Sequence, residues 1–212
     1  MCNLYTQTRS QEAMRRLFRV EHDRAGNLGA GEVYPDRMAP ILRNGPGGRE
    51  LVLGRWGMPT PPMFIRGKVD RGVTNIRNTV SPHWRRWLGP AHRCLVPFDR
   101  FAEPRAGGGN VWFRLAAGDG VFAGLRTEWT SVRKLRDGET TDELFAFLTT
   151  EPNAEVAAVH PKAMPVILTD PAEWDRWLTA PWDEARALQR PLRDGALVVE
   201  PDPAAAAAGG LS

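Results

Sequence analysis

A chain of 212 residues, 42% hydrophobic and 25% charged, has the make-up of one ordinary domain, or at most two small ones, with enough length to bury a core. No apolar run approaches the ~20 residues that a membrane span needs, and no basic-then-apolar leader opens the chain, so a cytoplasmic place and no membrane partner are expected. Two cysteines, Cys2 and Cys94, and four scattered histidines give neither a disulfide framework nor a zinc-ligand spacing, and the net charge of +3 permits nucleic-acid binding without requiring it.

The chain begins MCNLYTQT. The next stretch, RSQEAMRRLFRV, places Met14, Leu17 and Phe18 on one helical face, with Ser10 as N-cap. AGNLGAGE reads as a loop, EVYP and ELVLGRWGM as strands, and PTPPMF as a breaker. SPHWRRWLG predicts a short helix with Ser81 as cap, Pro82 at its first position and Gly89 at its end. Strands follow at RCLVPF, NVWFRLAA, GVFAGLRTEW and ELFAFLTT, with AGGGN as the turn between two of them. NAEVAAVHP fits a helix that stops before Pro161, and AMPVIL a strand. DPAEWDRWL predicts a helix capped by Asp170, with Trp174, Trp177 and Leu178 on one face. PWDEARALQR reads as a further helix and ALVVE as a last strand. Residues 203–212, rich in alanine and glycine, read as a disordered tail.

Strands arrive in runs rather than alternating with helices. That pattern favours an α+β domain over residues 1–202, built on a largely antiparallel sheet or barrel, over a doubly wound fold.

Four positions could carry chemistry. Cys2 stands behind the initiator methionine. If Met1 is removed, one residue bears both a thiol and an α-amine, whose ordinary pKa near 8 leaves a useful neutral fraction at pH 7. Such an aminothiol attacks an aldehyde twice, first as a Schiff base and then as a five-membered thiazolidine; equally, a small residue at position 2 merely permits methionine removal. Asn75 and Arg77, in TNIRNT, alternate in an extended stretch and would share a face suited to phosphate or a polarised oxygen, or form a polar edge. Glu103, in VPFDRFAEP, is a general base near a sheet end or a surface acid. His160, in AAVHPKAMPVIL, is an acid/base near neutrality or a capping residue. Cys94, in the apolar run RCLVPF, reads as a buried structural thiol. The stretch RGKVDRGVTNIRNTVSPHWRRWLGPAHR gathers many cations and two tryptophans, which is either a solvated surface or a nucleic-acid face.

Taken in order, MCN, RWGM, NIRNT, CLVPFDRFAEP and HPKAMPVIL resemble the SOS response-associated peptidase (SRAP) family, over Cys2 to about Leu168. The resemblance implies a compact α+β domain with a β-barrel-like sheet and a basic DNA groove. It implies that Cys2, freed of Met1, attacks the open-chain aldehyde of an abasic site in single-stranded DNA, leaving a thiazolidine crosslink that shields the lesion. It implies that Asn75 positions the first residue and the sugar, that Glu103 moves protons during imine and ring formation, that His160 assists sugar opening and crosslink reversal, and that Arg77 contacts phosphate. No metal or cofactor is implied, and a monomer, nucleoid-associated when on DNA, is expected. The chain departs from the family pattern at Asn3-Leu4, where Gly-Arg is common, and after Glu103, where a tryptophan is usual. Before Asn75 the family's wedge-forming aromatics are replaced by MFIRGKVDRG, with Phe64 as substitute. Two other readings use the same residues: a thiol peptidase acting with Cys2 and Glu103, or a non-catalytic module that binds single-stranded DNA.

Overall fold

A computed structural model describes residues 2–200; the tail expected over 203–212 lies outside them. The elements run, in chain order, β1 (Leu4–Gln7), α1 (Gln11–Leu17), β2 (His22–Asp23), β3 (Gly31–Val33), β4 (Met38–Gly45), β5 (Gly48–Trp56), β6 (Asn75–Ile76), α2 (Pro82–Arg85), β7 (Arg93–Pro97), β8 (Arg100–Pro104), β9 (Asn110–Leu115), β10 (Val121–Lys134), β11 (Gly138–Thr150), α3 (Ala154–Ala157), β12 (Met164–Pro165), β13 (Ile167–Leu168), α4 (Pro171–Thr179), α5 (Trp182–Ala185) and β14 (Leu197–Glu200).

The strands make two sheets. In the larger, β11, β10, β7, β4 and β5 pair in succession, and β5 pairs back onto β11 in parallel at Leu144↔Arg55 and Phe145↔Trp56. That return pairing closes the circuit into a barrel, which removes the free edges of its long strands. The smaller sheet has the order β14-β9-β8-β1-β3. The expected α+β class with a largely antiparallel, barrel-like sheet and peripheral helices is what the chain adopts.

Side chains alternate along the barrel strands as the two-residue period demands. On β11, Phe145 and Phe147 join Tyr5, Phe101 and Phe113 in the layer shared with the smaller sheet. Leu144, Ala146 and Leu148 face the other way, onto Met14, Phe18, Trp84 and Trp177 from the helices. Rings dominate the inter-sheet layer: Phe98 stacks on Phe122 with centroids 4.1 Å apart and planes 4° from parallel. Each fully buried ring is worth ~1.5–3 kcal/mol of transfer free energy.

The helices form where capping chemistry predicts. Ser10 Oγ accepts from the Ala13 amide at 3.2 Å, and Met14 and Phe18 are buried while Leu17 is half-buried. Asp170 accepts from the Ala172 amide at 2.8 Å with Pro171 behind it, and Trp174, Trp177 and Leu178 are buried. The buried Arg93 of β7 fastens the end of α4, donating Nη1 to the carbonyls of Trp177 (2.7 Å) and Ala180 (2.8 Å). Burial lowers its pKa to about 10, but the guanidinium stays charged and meets the negative end of the helix dipole.

Several local expectations need correction. Ser81 stands at the N-cap of α2, but its side chain makes no capping bond. AMPVIL divides into β12 and β13, which pair with different strands, β11 and β10. The helix expected through NAEVAAVHP is one turn, ending at Ala157. PWDEARALQR gives α5 followed by a 3-10 turn over Arg186–Leu188. β1, β2 and β4 form in segments with no clear strand signal, and DRFAEP is a strand of its own, β8.

Candidate active site

The smaller sheet takes the start of the chain as an interior strand, next to its edge strand β3. β1 pairs with β3 on one side and with β8 on the other, in the register Leu4↔Ala102. Cys2, two residues ahead of Leu4, has no exposed surface and packs in the inter-sheet layer. Its Sγ donates to the Leu4 carbonyl at 3.5 Å. The same register brings Glu103, next along β8, to the Cys2 end of β1.

Asn75 arrives from the barrel. β6 adds in parallel to the end of β11 at Phe147↔Asn75 and Leu148↔Ile76. Two contacts fix its approach: Trp56 Nε1 donates to the Thr74 carbonyl at 3.0 Å, and Met58 and Val73 exchange backbone bonds. Asn75 Nδ2 then donates to the Cys2 carbonyl at 2.8 Å and to Thr74 Oγ1 at 2.9 Å. The amide therefore holds the backbone of Cys2, not its sulfur.

His160 completes the group. It follows α3, whose cap Asn153 accepts from the Val156 amide at 3.2 Å, and its own amide donates to the Val156 carbonyl at 2.7 Å. Its Nδ1 lies 3.0 Å from the Ala163 carbonyl and 3.5 Å from Glu103 Oε2. A carbonyl can only accept, so Nδ1 carries the hydrogen. The ring is 16% exposed, whereas the Glu103 carboxyl is fully buried.

Burial decides the protonation states. It pushes the Cys2 thiol well above its ordinary value, and the neighbouring Glu103 carboxylate pushes in the same direction. The resting sulfur is therefore a thiol, a weak nucleophile until a base takes its proton. Burial also raises Glu103, from 4.5 to about 7. A carboxyl poised there can give or take a proton at neutral pH with little loss in either direction. The Cys2 thiol, the Glu103 carboxyl and the partly exposed His160 ring thus lie in sequence from the buried layer towards the surface.

Cys2, Asn75, Glu103 and His160, spread along the sequence, thus meet at one seam between the two sheets. Arg77 does not join them. β6 ends at Ile76, so the alternation expected of Asn75 and Arg77 stops: Asn75 is buried, while Arg77 is exposed and pairs with Glu151 at 3.3 Å. Cys94 is buried on β7, as a structural thiol should be, and burial pushes its pKa up. Sequence reasoning missed Gln189, whose Nε2 bridges the carbonyls of Arg77 (2.9 Å) and Thr149 (3.0 Å) and whose Oε1 accepts from Thr79. Nothing in the sequence marks a glutamine at the end of a 3-10 turn as a fastener of a strand over a hundred residues away.

Along residues 63–86 of the chain, Met63, Phe64 and Val80 are exposed apolar side chains, and Arg66, Lys68, Arg71, Arg77, Arg85 and Arg86 are exposed cations. Among the described residues no group of three or more His, Cys, Asp or Glu side chains could hold a metal ion, and no helix is long and apolar enough to cross a membrane.

Residues 1–201 match the profile described as "SOS response associated peptidase (SRAP)". No curated protein matches the chain. Among solved structures, a Bordetella bronchiseptica protein is 25% identical with a TM-score of 0.73, over 93% of this chain and 98% of that one. A Bacteroides thetaiotaomicron protein is 19% identical with a TM-score of 0.75, over 93% and 90%. A phage-related protein of Bordetella bronchiseptica is 20% identical with a TM-score of 0.68, over 95% and 94%. The last two share the fold.

Proposed function

Because the chain belongs to the SOS response associated peptidase family, whose general function concerns abasic sites and single-stranded DNA, we propose that it joins itself covalently to an abasic site through Cys2. The observation that carries this reading is the 2.8 Å bond from Asn75 to the Cys2 carbonyl, beside a buried carboxyl raised to about 7. Held by its carbonyl, Cys2 has neither its nitrogen nor its sulfur engaged by Asn75.

The steps follow from those positions. With Met1 removed, the Cys2 amine adds to the aldehyde carbon of the opened deoxyribose. The carbinolamine loses water as Glu103, in its acid form, protonates the departing hydroxyl. That loss leaves an iminium; the thiol gives its proton to the Glu103 carboxylate and its sulfur adds to the iminium carbon, the C=N electron pair returning to nitrogen. The thiazolidine closes with the release of one water overall. His160, 3.5 Å from Glu103 and partly exposed, exchanges that proton with solvent and assists opening of the sugar and reversal. Single-stranded DNA would lie over the cations of residues 66–86, with Arg77 leaving Glu151 for a phosphate and Phe64 stacking on a base. The protein would act as a monomer, without cofactor.

The test is a protein of verified start, either free at Cys2 or blocked by retained Met1 or an acetyl group, mixed with an abasic single-stranded oligonucleotide. Intact mass should show an adduct one water lighter than the sum, from the free form alone. An equally stable adduct from the blocked form would sink the aminothiol mechanism. Turnover of peptides with no adduct would favour a thiol peptidase, and binding that survives Cys2→Ala with no adduct in any form would favour a non-catalytic module.

A further inference from the structure

The connection from β5 to β6 ends at Asn75, and its root is built around a side chain from a distant strand. Met58 and Val73 close the root with paired backbone bonds of 2.9 and 2.8 Å. Arg133 enters from β10 at the register shift between Val132 and Lys134. Its side chain is 2% exposed, and Nε lies 3.2 Å from Asp36 Oδ1. Nη1 and Nη2 are buried and find no acceptor among the described residues.

The flat head of Arg133 occupies the space that side chains at Gly57 and Gly72 would fill. A Cβ on Gly72 would stand 2.6 Å from Nη2, 2.7 Å from Nη1 and 2.9 Å from the Gly57 Cα, and a Cβ on Gly57 would run into Nη2. Both glycines have positive φ, +145° and +76°, so neither position readily admits another residue. Burying a guanidinium with unsatisfied nitrogens opposes folding, and an apolar side chain of similar volume is often the more stable choice. Stability alone therefore does not explain an arginine here. What it supplies is a rigid plane between two backbones, three residues ahead of Asn75.

Resting on the reading of Cys2 as the covalent residue, we propose that Arg133 is a positioning residue for that site, setting the spacing of the loop root and, through Thr74, the placement of Asn75 against the Cys2 carbonyl. Asp36 anchors the arginine by its Nε and keeps Arg55 (3.4 Å) and Lys134 (3.6 Å) as further partners, so removing the head does not strand that carboxylate.

The test compares Arg133→Met, which keeps the stem without the head, with Gly72→Ala, which keeps Arg133 but drives it from its slot. The first measurement needs no DNA: the side-chain amide of Asn75, followed by nitrogen-15 NMR, should shift and exchange faster in both variants. The second is the rate of stable adduct formation at saturating protein. It should fall by ~10- to 100-fold in both, since displacements near 1 Å carry costs of that size, while affinity for undamaged single strands changes less than about twofold. In an Asn75→Ala background, Arg133→Met should lower the residual rate no further. An unmoved Asn75 amide, or the same fold-loss with and without Asn75, overturns the proposal. If the unaltered protein forms no adduct, the functional reading fails, and the amide signal alone decides the role of Arg133. Should Arg133→Met not fold, Arg133→Lys, which keeps the charge but not the plane, takes its place beside Gly72→Ala.

Discussion

Replacing Glu103 with Gln should remove a pH dependence of stability that the buried carboxyl imposes. Glu103 sits fully buried on β8, and burial raises its pKa from 4.5 to about 7. The folded state therefore holds the proton more tightly than the unfolded state does. Below about pH 4.5 both states are protonated and the carboxyl costs nothing. As pH rises through 4.5 towards 7, the unfolded chain ionises first and stability falls; above about 7 the loss is complete. At ~1.4 kcal/mol per pH unit, the gap amounts to about 3 kcal/mol, or roughly 6–12 °C in Tm for a domain of this size. Urea unfolding of the natural protein and of Glu103→Gln, with identical verified starts, should be followed from pH 4.5 to 7.5. The stability of the natural protein relative to the variant should decline across that range. Glu50 does not confuse the comparison. Burial pushes it up, but Arg43 and Arg24 outweigh burial and leave it lowered. Its contribution therefore falls away at lower pH, and it is present in both proteins. Parallel profiles, or a relative gain by the natural protein as pH rises, would refute the claim that this carboxyl is desolvated, and with it the poised proton donor.

Three further outcomes are expected. Asn75→Ala leaves the Cys2 carbonyl without its 2.8 Å donor and should cost ~1–3 kcal/mol, with a larger relative loss in adduct rate than in binding of undamaged strands; stopped-flow and filter binding separate the two. Cys94→Ala should cost about 1–2 kcal/mol through lost packing in β7 yet form adduct at the normal rate, so a lost adduct in a folded variant would mean that the wrong thiol has been assigned. Affinity for undamaged single strands should fall by ~0.7 log units per log unit of salt for each phosphate neutralised, and Arg77→Ala should flatten that slope. An unchanged slope would leave Arg77 as a partner of Glu151 alone.

The four residues that meet at the candidate site could be picked out from the order of the motifs, and much of the fold from periodicity. The strands of apolar alternation and the helices with a side-chain cap at Ser10 or Asp170 stand where pattern and capping place them. β4 escaped because MAPILRNG carries Pro40 and polar residues at its end. In the fold Pro40 is tolerated because β7 pairs with this strand only at Leu42↔Leu95, so the missing donor interrupts no ladder. β8 escaped because its polar residues look like a surface loop; only the return of β1 as its neighbour buries Glu103. The contrast of Asn75 with Arg77 was illegible because strand length, not alternation, decides it, and pairing across the barrel sets that length. Arg133 was invisible for a related reason: a slot between two glycines exists only once the loop root is closed.

The interior place of β1 in its sheet, between β8 and β3, also has a consequence in time. Leu4 waits for Ala102, its partner in β8, about a hundred residues later. At ~5–20 residues per second of synthesis, the strand is made on the order of 5–20 s before its pairing with β8 can form. During that interval Cys2 has no wall of β8 beside it and no Glu103 carboxyl near its sulfur. On the proposed reading, removal of Met1 has its opening in that interval, while the growing polypeptide is still attached to the ribosome and before Glu103 and His160 are in place. On that reading the order of translation separates preparation of the terminus from its use.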